Sequence, residues 1–431
     1  MKLEHIGFST MYDKRVRELS GSSEMKRCEL ILTDLCTFRC PYCHGIREEC
    51  RGNIPMEKAR MIIDMWTENG LENLRFSGGE PTIWPGLPEL VRYSKEKGAR
   101  TIGVSSNGFS DISVYNELID AGVDSFSISL DACDAEEGDR MSGGIKGSWN
   151  KVVNNIREIS KRAKVSIGIV VTEETKARFL ETLDYALSLG VYDVKIISAT
   201  QYNELLSPAG NVDMGSREKH HFLNYRVENV IKGKNMRGLS EDDSHRCPLV
   251  MDDSSIAGNW HFPCSIYMRE MGAPIGEVSG SMRHERILWA EQHDTHRDPI
   301  CRKYCLDATR DFNNRYMYYK IKDQTVTPVL DPQAFSEEIF AEDGLIRIGA
   351  GDLCFDNAKD HRDLFLARNE RAEYRLLGCC MTEDMPQCDN VENRVALMYE
   401  DNDAKRFWFV IRASEFMEML SELQQEEHRS R

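Results

Sequence analysis

Residues 36–45 read CTFRCPYCHG, with cysteines at positions 36, 40 and 43. These spacings leave room for a metal but supply one thiolate too few for a closed tetrahedral site. A zinc site would need a fourth ligand such as His44. Zinc loops usually pair one C-x2-C knuckle with a second nearby, and none follows here. A 4Fe–4S cube fits better: three irons take Cys36, Cys40 and Cys43, and the fourth keeps a position open for an outside ligand.

The composition around this loop suits such a site. The chain has 431 residues, 41% hydrophobic and 29% charged, as expected of a soluble globular protein with two or three domains. No apolar run approaches the ~18 residues that span a bilayer, and the N-terminal residues lack the apolar core of a signal peptide. A cytoplasmic location follows as the expectation, and there 14 cysteines point to metal or redox chemistry rather than to disulfides. A formal net charge of −16 argues against nucleic acid as the partner.

Outward from the loop, short apolar runs alternate with amphipathic stretches. Residues 28–33, 73–76, 101–105, 124–130, 164–171 and 193–198 read as strands, with helical periods between them that often close on glycine. Repeats of this kind predict a parallel sheet curling into a full or partial barrel, with chemistry at the C-terminal strand ends. The cysteine loop follows the first strand. Ser77-Gly78-Gly79-Glu80-Pro81-Thr82 follows the second, Ser105-Ser106-Asn107-Gly108 the third, and the fourth ends Ser127-Ile128-Ser129-Leu130-Asp131.

This ordered set, with Tyr42 just before the last cysteine, resembles the radical S-adenosylmethionine (radical SAM) superfamily over residues 26 to 200. The resemblance implies that the amino and carboxylate groups of SAM chelate the open iron. It implies contacts from Gly78, Gly79 and Glu80 to the methionine moiety, from Ser106 and Asn107 to carboxylate and ribose, and from Ser129 and Asp131 to the ribose. Val171 and Ile197 would line the adenine. Reductive cleavage of SAM would then yield a 5′-deoxyadenosyl radical that takes a hydrogen atom from a substrate in the barrel mouth.

A second cysteine group lies beyond the alternating region. Cys247 and Cys264 bracket a predicted hairpin, and Cys301 and Cys305 follow at i,i+4 on a predicted helix. This stretch resembles the SPASM/twitch extension of radical SAM enzymes, without the full seven-cysteine pattern. The resemblance implies one additional 4Fe–4S cluster; a zinc staple on the same thiolates is the alternative. Most other cysteines read as small buried hydrophobes. Cys133, just past the fourth strand, is a candidate hydrogen-atom donor, and Cys379, Cys380 and Cys388 are a candidate metal group.

The expected layout is a partial (β/α)6 barrel at 26–225 after an N-terminal arm at 1–25, a cysteine-rich auxiliary subdomain at 226–320, and an α+β extension at 321–431. The extension should hold strands near 344–351, 394–401 and 407–413 and a terminal helix near 414–423. The stretch before the first strand is too short for a leader-reading domain, which favours a small-molecule or short-peptide substrate over a precursor peptide. Dehydrogenation, dehydration and epimerisation all suit this layout. A flavodoxin or ferredoxin would be the reductant. A non-catalytic Fe–S or zinc scaffold is the alternative of another class.

Overall fold

A computed structural model describes residues 14–43, 45, 48–199, 203–212 and 220–325, and the strands at 364–368, 372–379, 394–401 and 406–412. The chain divides into two compact units, Met1–Met317 and Tyr318–Arg431.

In the first unit the predicted alternation is realised. The elements run β1 (Arg27–Ile31), α1 (Met56–Glu68), β2 (Asn73–Ser77), α2 (Leu87–Glu96), β3 (Thr101–Ser106), α3 (Ile112–Ala121) and β4 (Ser125–Ser129). Next come α4 (Ala135–Met141), α5 (Ser148–Ile159), β5 (Lys164–Val171), α6 (Phe179–Ser188), β6 (Asp193–Ser198) and α7 (His221–Ile231). Strands β1 to β6 pair in sequence order, all parallel. Helix α3 ends on Gly122, whose φ of +117° lets its N–H turn back to the carbonyls of Leu118 and Ile119.

Strand register explains why the sheet has two unlike faces. Leu30, Phe76, Val104, Ile128, Ile167 and Ile196 point to one side, where they pack with Ile62, Leu90, Leu118 and Ile156 of the helices in the main core. The alternate positions, including Glu29, Arg75, Gly103, Ser127, Ser166 and Lys195, face the other way. They are small or polar and enclose a lumen. The Lys195 amine feels the charges of Arg75 and Glu29, four and five strands away in the sheet order. In a flat sheet four strand spacings would put about 19 Å between them. The sheet is therefore curled, as a partial barrel.

The cysteine-rich region supplies β7 (Asp253–Ala257), β8 (Trp260–Phe262), α8 (Ser265–Arg269), β9 (Gly276–Glu277), α9 (Met282–Gln292), α10 (Pro299–Tyr304) and α11 (Asp307–Thr325). The hairpin expected between Cys247 and Cys264 is β7–β8. Its attachment differs from a separate subdomain, because β7 pairs in parallel with the free edge of β1 and extends the barrel sheet to nine strands. The fully buried Arg27 pairs with Asp252 at this seam.

The second unit contains β10 (Leu364–Arg368), β11 (Ala372–Cys379), β12 (Arg394–Asp401) and β13 (Arg406–Arg412), an antiparallel sheet in sequence order. Strands β12 and β13 match the expectation. The strand expected near 344–351, the terminal helix near 414–423, Cys354, Cys380, Cys388 and most of the N-terminal arm lie outside the described residues. No helix among those described is long and apolar enough to cross a membrane.

Candidate active site

The cysteine loop leaves β1 and is tied to the loop after β2 by backbone contacts. Gly79 N–H donates to Thr33 O at 2.7 Å and Glu80 N–H to Leu35 O at 2.8 Å. A Cβ on Gly78 would lie 2.4 Å from Thr33 O, and one on Gly79 would lie 2.3 Å from Leu35 O. The glycine pair thus permits the close approach of two chain segments, a role the motif alone did not reveal.

Glu80 is fully buried, and its carboxylate is occupied within the protein. Oε1 accepts from Thr82 N–H, Thr82 Oγ1 and Ser106 Oγ at 3.1, 2.6 and 2.9 Å, and Oε2 accepts from Asn107 N–H at 2.6 Å. Burial pushes its pKa up, against these hydrogen bonds. Asn107 in turn donates from Nδ2 to Thr37 Oγ1 at 2.8 Å, and lies 3.7 Å from Cys36 Sγ. The loops after β1, β2 and β3 are therefore one hydrogen-bonded assembly with Glu80 at its centre.

The cysteines stand at the rim of this assembly. Cys36 and Cys40 are half-buried and Cys43 is exposed. Cys36 Sγ accepts from Phe38 N–H and Cys43 Sγ from Gly45 N–H, each at 3.4 Å. Burial, and then the charges of Asp131, Cys43 and Cys36, push the Cys40 thiol up to about 12. Burial also raises Cys36. Thiols that repel one another while receiving N–H groups suit a shared cationic centre, which would deprotonate them on binding.

Tyr42 donates its hydroxyl to Asp131, whose Oδ1 accepts from Val170 N–H at 2.7 Å. Burial raises Asp131 to about 6. Asp131 thus pins the cysteine loop to β4 and β5. Ser129 is exposed at the end of β4, beside that loop's anchor. Ser106 and Val171 turn to the helix side: Ser106 meets Tyr115 of α3, and Val171 is buried in the main core.

Cys133 follows Asp131 by two residues. Its Sγ accepts from Arg178 Nη2 at 2.9 Å, in a cluster with Asp134, Glu137 and Glu181.

The second thiol group is brought together from three elements. Cys247 precedes the hairpin, Cys264 caps α8, Cys301 is on α10 and Cys305 closes it. All four line a cavity of about 300 Å³, which Ile197 of β6 also borders. Burial raises Cys247 to about 11 and Cys264 to about 12, and lifts Cys301 and Cys305 further, with thiol–thiol repulsion next in the last two. Asn313 Nδ2 lies 3.2 Å from Cys247 Sγ, and Tyr267 N–H 3.4 Å from Cys264 Sγ. This donor set fits a second iron–sulfur cluster by the same reasoning. His293, Asp298 and Cys301 form an overlapping group whose ligand atoms lie within 4.8 Å of one another. Asp298 is already committed there, accepting from the N–H groups of Ile300 and Cys301 and from Tyr267 Oη. Asn313 and Asp298 carried no signal in the sequence, because neither belongs to a spaced motif.

Residues 30–186 match the profile of the Radical SAM superfamily, whose members use a 4Fe–4S cluster and SAM. A probable GTP 3′,8-cyclase of Metallosphaera sedula is 27% identical over 170 residues, 38% of this chain and 53% of that protein. The PqqA peptide cyclase of Granulibacter bethesdensis is 28% identical over 174 residues, 40% of this chain and 46% of that protein. The chain thus spans about half the length of these curated relatives. Among solved structures, Streptococcus suis SuiB bound to the precursor peptide SuiA aligns with 68% of this chain and 69% of its own, at 14% identity and a TM-score of 0.45. The matched residues include the three-cysteine loop and the loops laced to it, and residues 30–186 of this chain thus carry a radical SAM domain.

Proposed function

We propose that this chain is a radical SAM enzyme that removes a hydrogen atom from a small molecule or short peptide. The observation that carries the reading is the hydrogen-bonded assembly of three strand-end loops, with Cys36, Cys40 and Cys43 at its rim. When bound there, a 4Fe–4S cluster and SAM supply reductive cleavage of a carbon–sulfur bond and hence a carbon radical. The chain's own part is placement. Glu80 holds Asn107 and Ser106 in place, and Asp131 anchors Tyr42. The exposed Cys43 side would face an external electron donor such as flavodoxin or ferredoxin.

The relatives' names divide between a nucleotide and a peptide, which supports a substrate of either kind. Cys247, Cys264, Cys301 and Cys305 would hold a second 4Fe–4S cluster beside the substrate cavity. With four protein thiolates it would have no open iron, and so would carry electrons or brace the fold.

Anaerobically reconstituted protein, given dithionite and SAM, is expected to release 5′-deoxyadenosine. Cys36→Ala, Cys40→Ala and Cys43→Ala should each abolish this product while the protein remains folded by circular dichroism. Product formation by any of these variants at the wild-type rate would overturn the reading. A wild type that makes none, with a reduced cluster confirmed spectroscopically and substrate supplied, would do the same.

A further inference from the structure

The cavity that holds the four thiols continues into the barrel lumen, and its lining is cationic. Arg75, Lys195, Arg226, Arg237 and Arg310 border it, against Glu29 and Asp253 as its only carboxylates among the described residues. This is notable in a chain with a formal charge of −16. Arg75, Lys195, Arg226 and Arg310, with Arg286 from outside the lining, divide into two groups by what they act on. Arg286 and Arg310 act on the thiols: Arg286 on Cys247, and Arg310 on Cys305. Arg75 and Arg226 act on Lys195 instead. The thiols, or a cluster bound to them, therefore have cationic neighbours of their own.

The second group is not fully compensated. Lys195 Nζ sits 4.8 Å from the centre of the Phe222 ring and makes no hydrogen bond or ion pair among the described residues. Burial lowers its pKa to about 7; Arg75 and Arg226 lower it, while Asp193 and Glu29 raise it. Arg226 pairs through Nη2 with Asp307 at 3.0 Å, but its Nη1 is buried with no hydrogen-bond partner among the described residues. Arg75 pairs with Glu29 at 4.0 Å and adds to the positive field at Lys195. The Lys195 amine and Arg226 Nη1, on half-buried side chains, are costly unless a ligand supplies their acceptors.

We propose that Lys195 and Arg226, backed by Arg75, form a subsite that binds an oxyanion of the substrate, either a carboxylate or a phosphoryl group. The inference rests on the reaction proposed above, since it names the end of the substrate that the lumen would hold. Arg226 would add a directed N–H donor, and Lys195 would add a point charge once the incoming anion restores its proton.

Calorimetric titration of the reconstituted protein, without reductant, tests this with succinate and inorganic phosphate as probes. At least one should bind, and at pH 8 the heat should vary with buffer ionisation enthalpy, reporting proton uptake by Lys195. Lys195→Met and Arg226→Gln should each weaken binding roughly tenfold or more, as for loss of a charged hydrogen bond, with iron content unchanged. Lys195→Met should also abolish the proton uptake. Preference for succinate identifies a carboxylate, and preference for phosphate identifies a phosphoryl group. Failure of both anions to bind, or equal binding by wild type and variants, overturns the subsite. Should Arg226→Gln misfold through loss of the Asp307 pair, Lys195→Met, which removes no ion pair, decides the matter. Absence of 5′-deoxyadenosine in parallel samples counts against the proposed reaction and not against the subsite, because binding is measured without turnover.

Discussion

Glu80 shows how far a motif can be read at the level of a single residue. Its place in Gly78-Gly79-Glu80 implies a contact to the methionine moiety of SAM, and the fold gives it a second task, since its carboxylate accepts four hydrogen bonds from Thr82, Ser106 and Asn107. Removing it should therefore cost stability even where no SAM is bound. Glu80→Ala would strand the buried N–H of Asn107 and Ser106 Oγ, at about 1–3 kcal/mol for each donor left unsatisfied. Denaturant titration should show this loss in the absence of SAM, and unchanged stability would refute the role. Ser106 and Val171 illustrate a related limit. Period-2 alternation predicts that neighbouring residues point to opposite faces, but the sequence does not say which face is the lumen when serines occupy consecutive positions. Lys195 was illegible for another reason, since its environment comes from β1, β2 and α7. Its lowered pKa has a definite sign: the unfolded chain binds the proton up to about pH 10.4 and the folded one only up to about 7. This group therefore destabilises the fold below pH 7, and its penalty fades as pH rises from there toward 10.4. Relative to Lys195→Met, the wild type should gain thermal stability between pH 7 and 9.5. Parallel melting curves at all pH values would contradict the assignment.

At the level of elements, the alternating β and α pattern was legible because each strand of the barrel buries one apolar face under helices, leaving short runs in which apolar and small or polar residues alternate. The hairpin between Cys247 and Cys264 was legible as well. Its pairing with β1 was not, because parallel partners far apart in sequence leave no local signature. Helix α10 brings Cys301 and Cys305 to the thiol group, with Asp298 capping its N-terminus. If those four cysteines hold iron, the reconstituted protein should carry about eight irons. The triple Cys36, Cys40 and Cys43 alanine variant should retain about four of these and keep cluster absorbance. Four irons in the wild type with one equivalent of zinc would instead favour a zinc site on the same four thiolates.

Across the first unit as a whole, β1 is the joint on which both thiol groups depend. It bears the three-cysteine loop and pairs with β2 on one side and β7 on the other. The Arg27–Asp252 pair locks the second side, with Arg27 fully buried and Asp252 nearly so. Asp252→Asn should therefore destabilise the unit by about 3 kcal/mol or more, the cost of leaving a buried charge unmatched. Iron loading at both cysteine groups should fall together. A loss confined to the second group would mean that the seam serves only the hairpin.

The same pairing bears on how the protein is made. Arg27 and its β7 partner Asp253 are separated by most of the first unit's length, so β1 emerges from the ribosome long before β7 exists. Until then its far edge carries unpaired N–H and C=O groups, a template for mispairing with another nascent chain. Strands β1 to β6 can assemble as they emerge, but the edge closes only once residue 257 is out. Expression at lower temperature should thus raise the soluble yield, whereas slower translation over residues 200–260, which prolongs the open edge, should lower it.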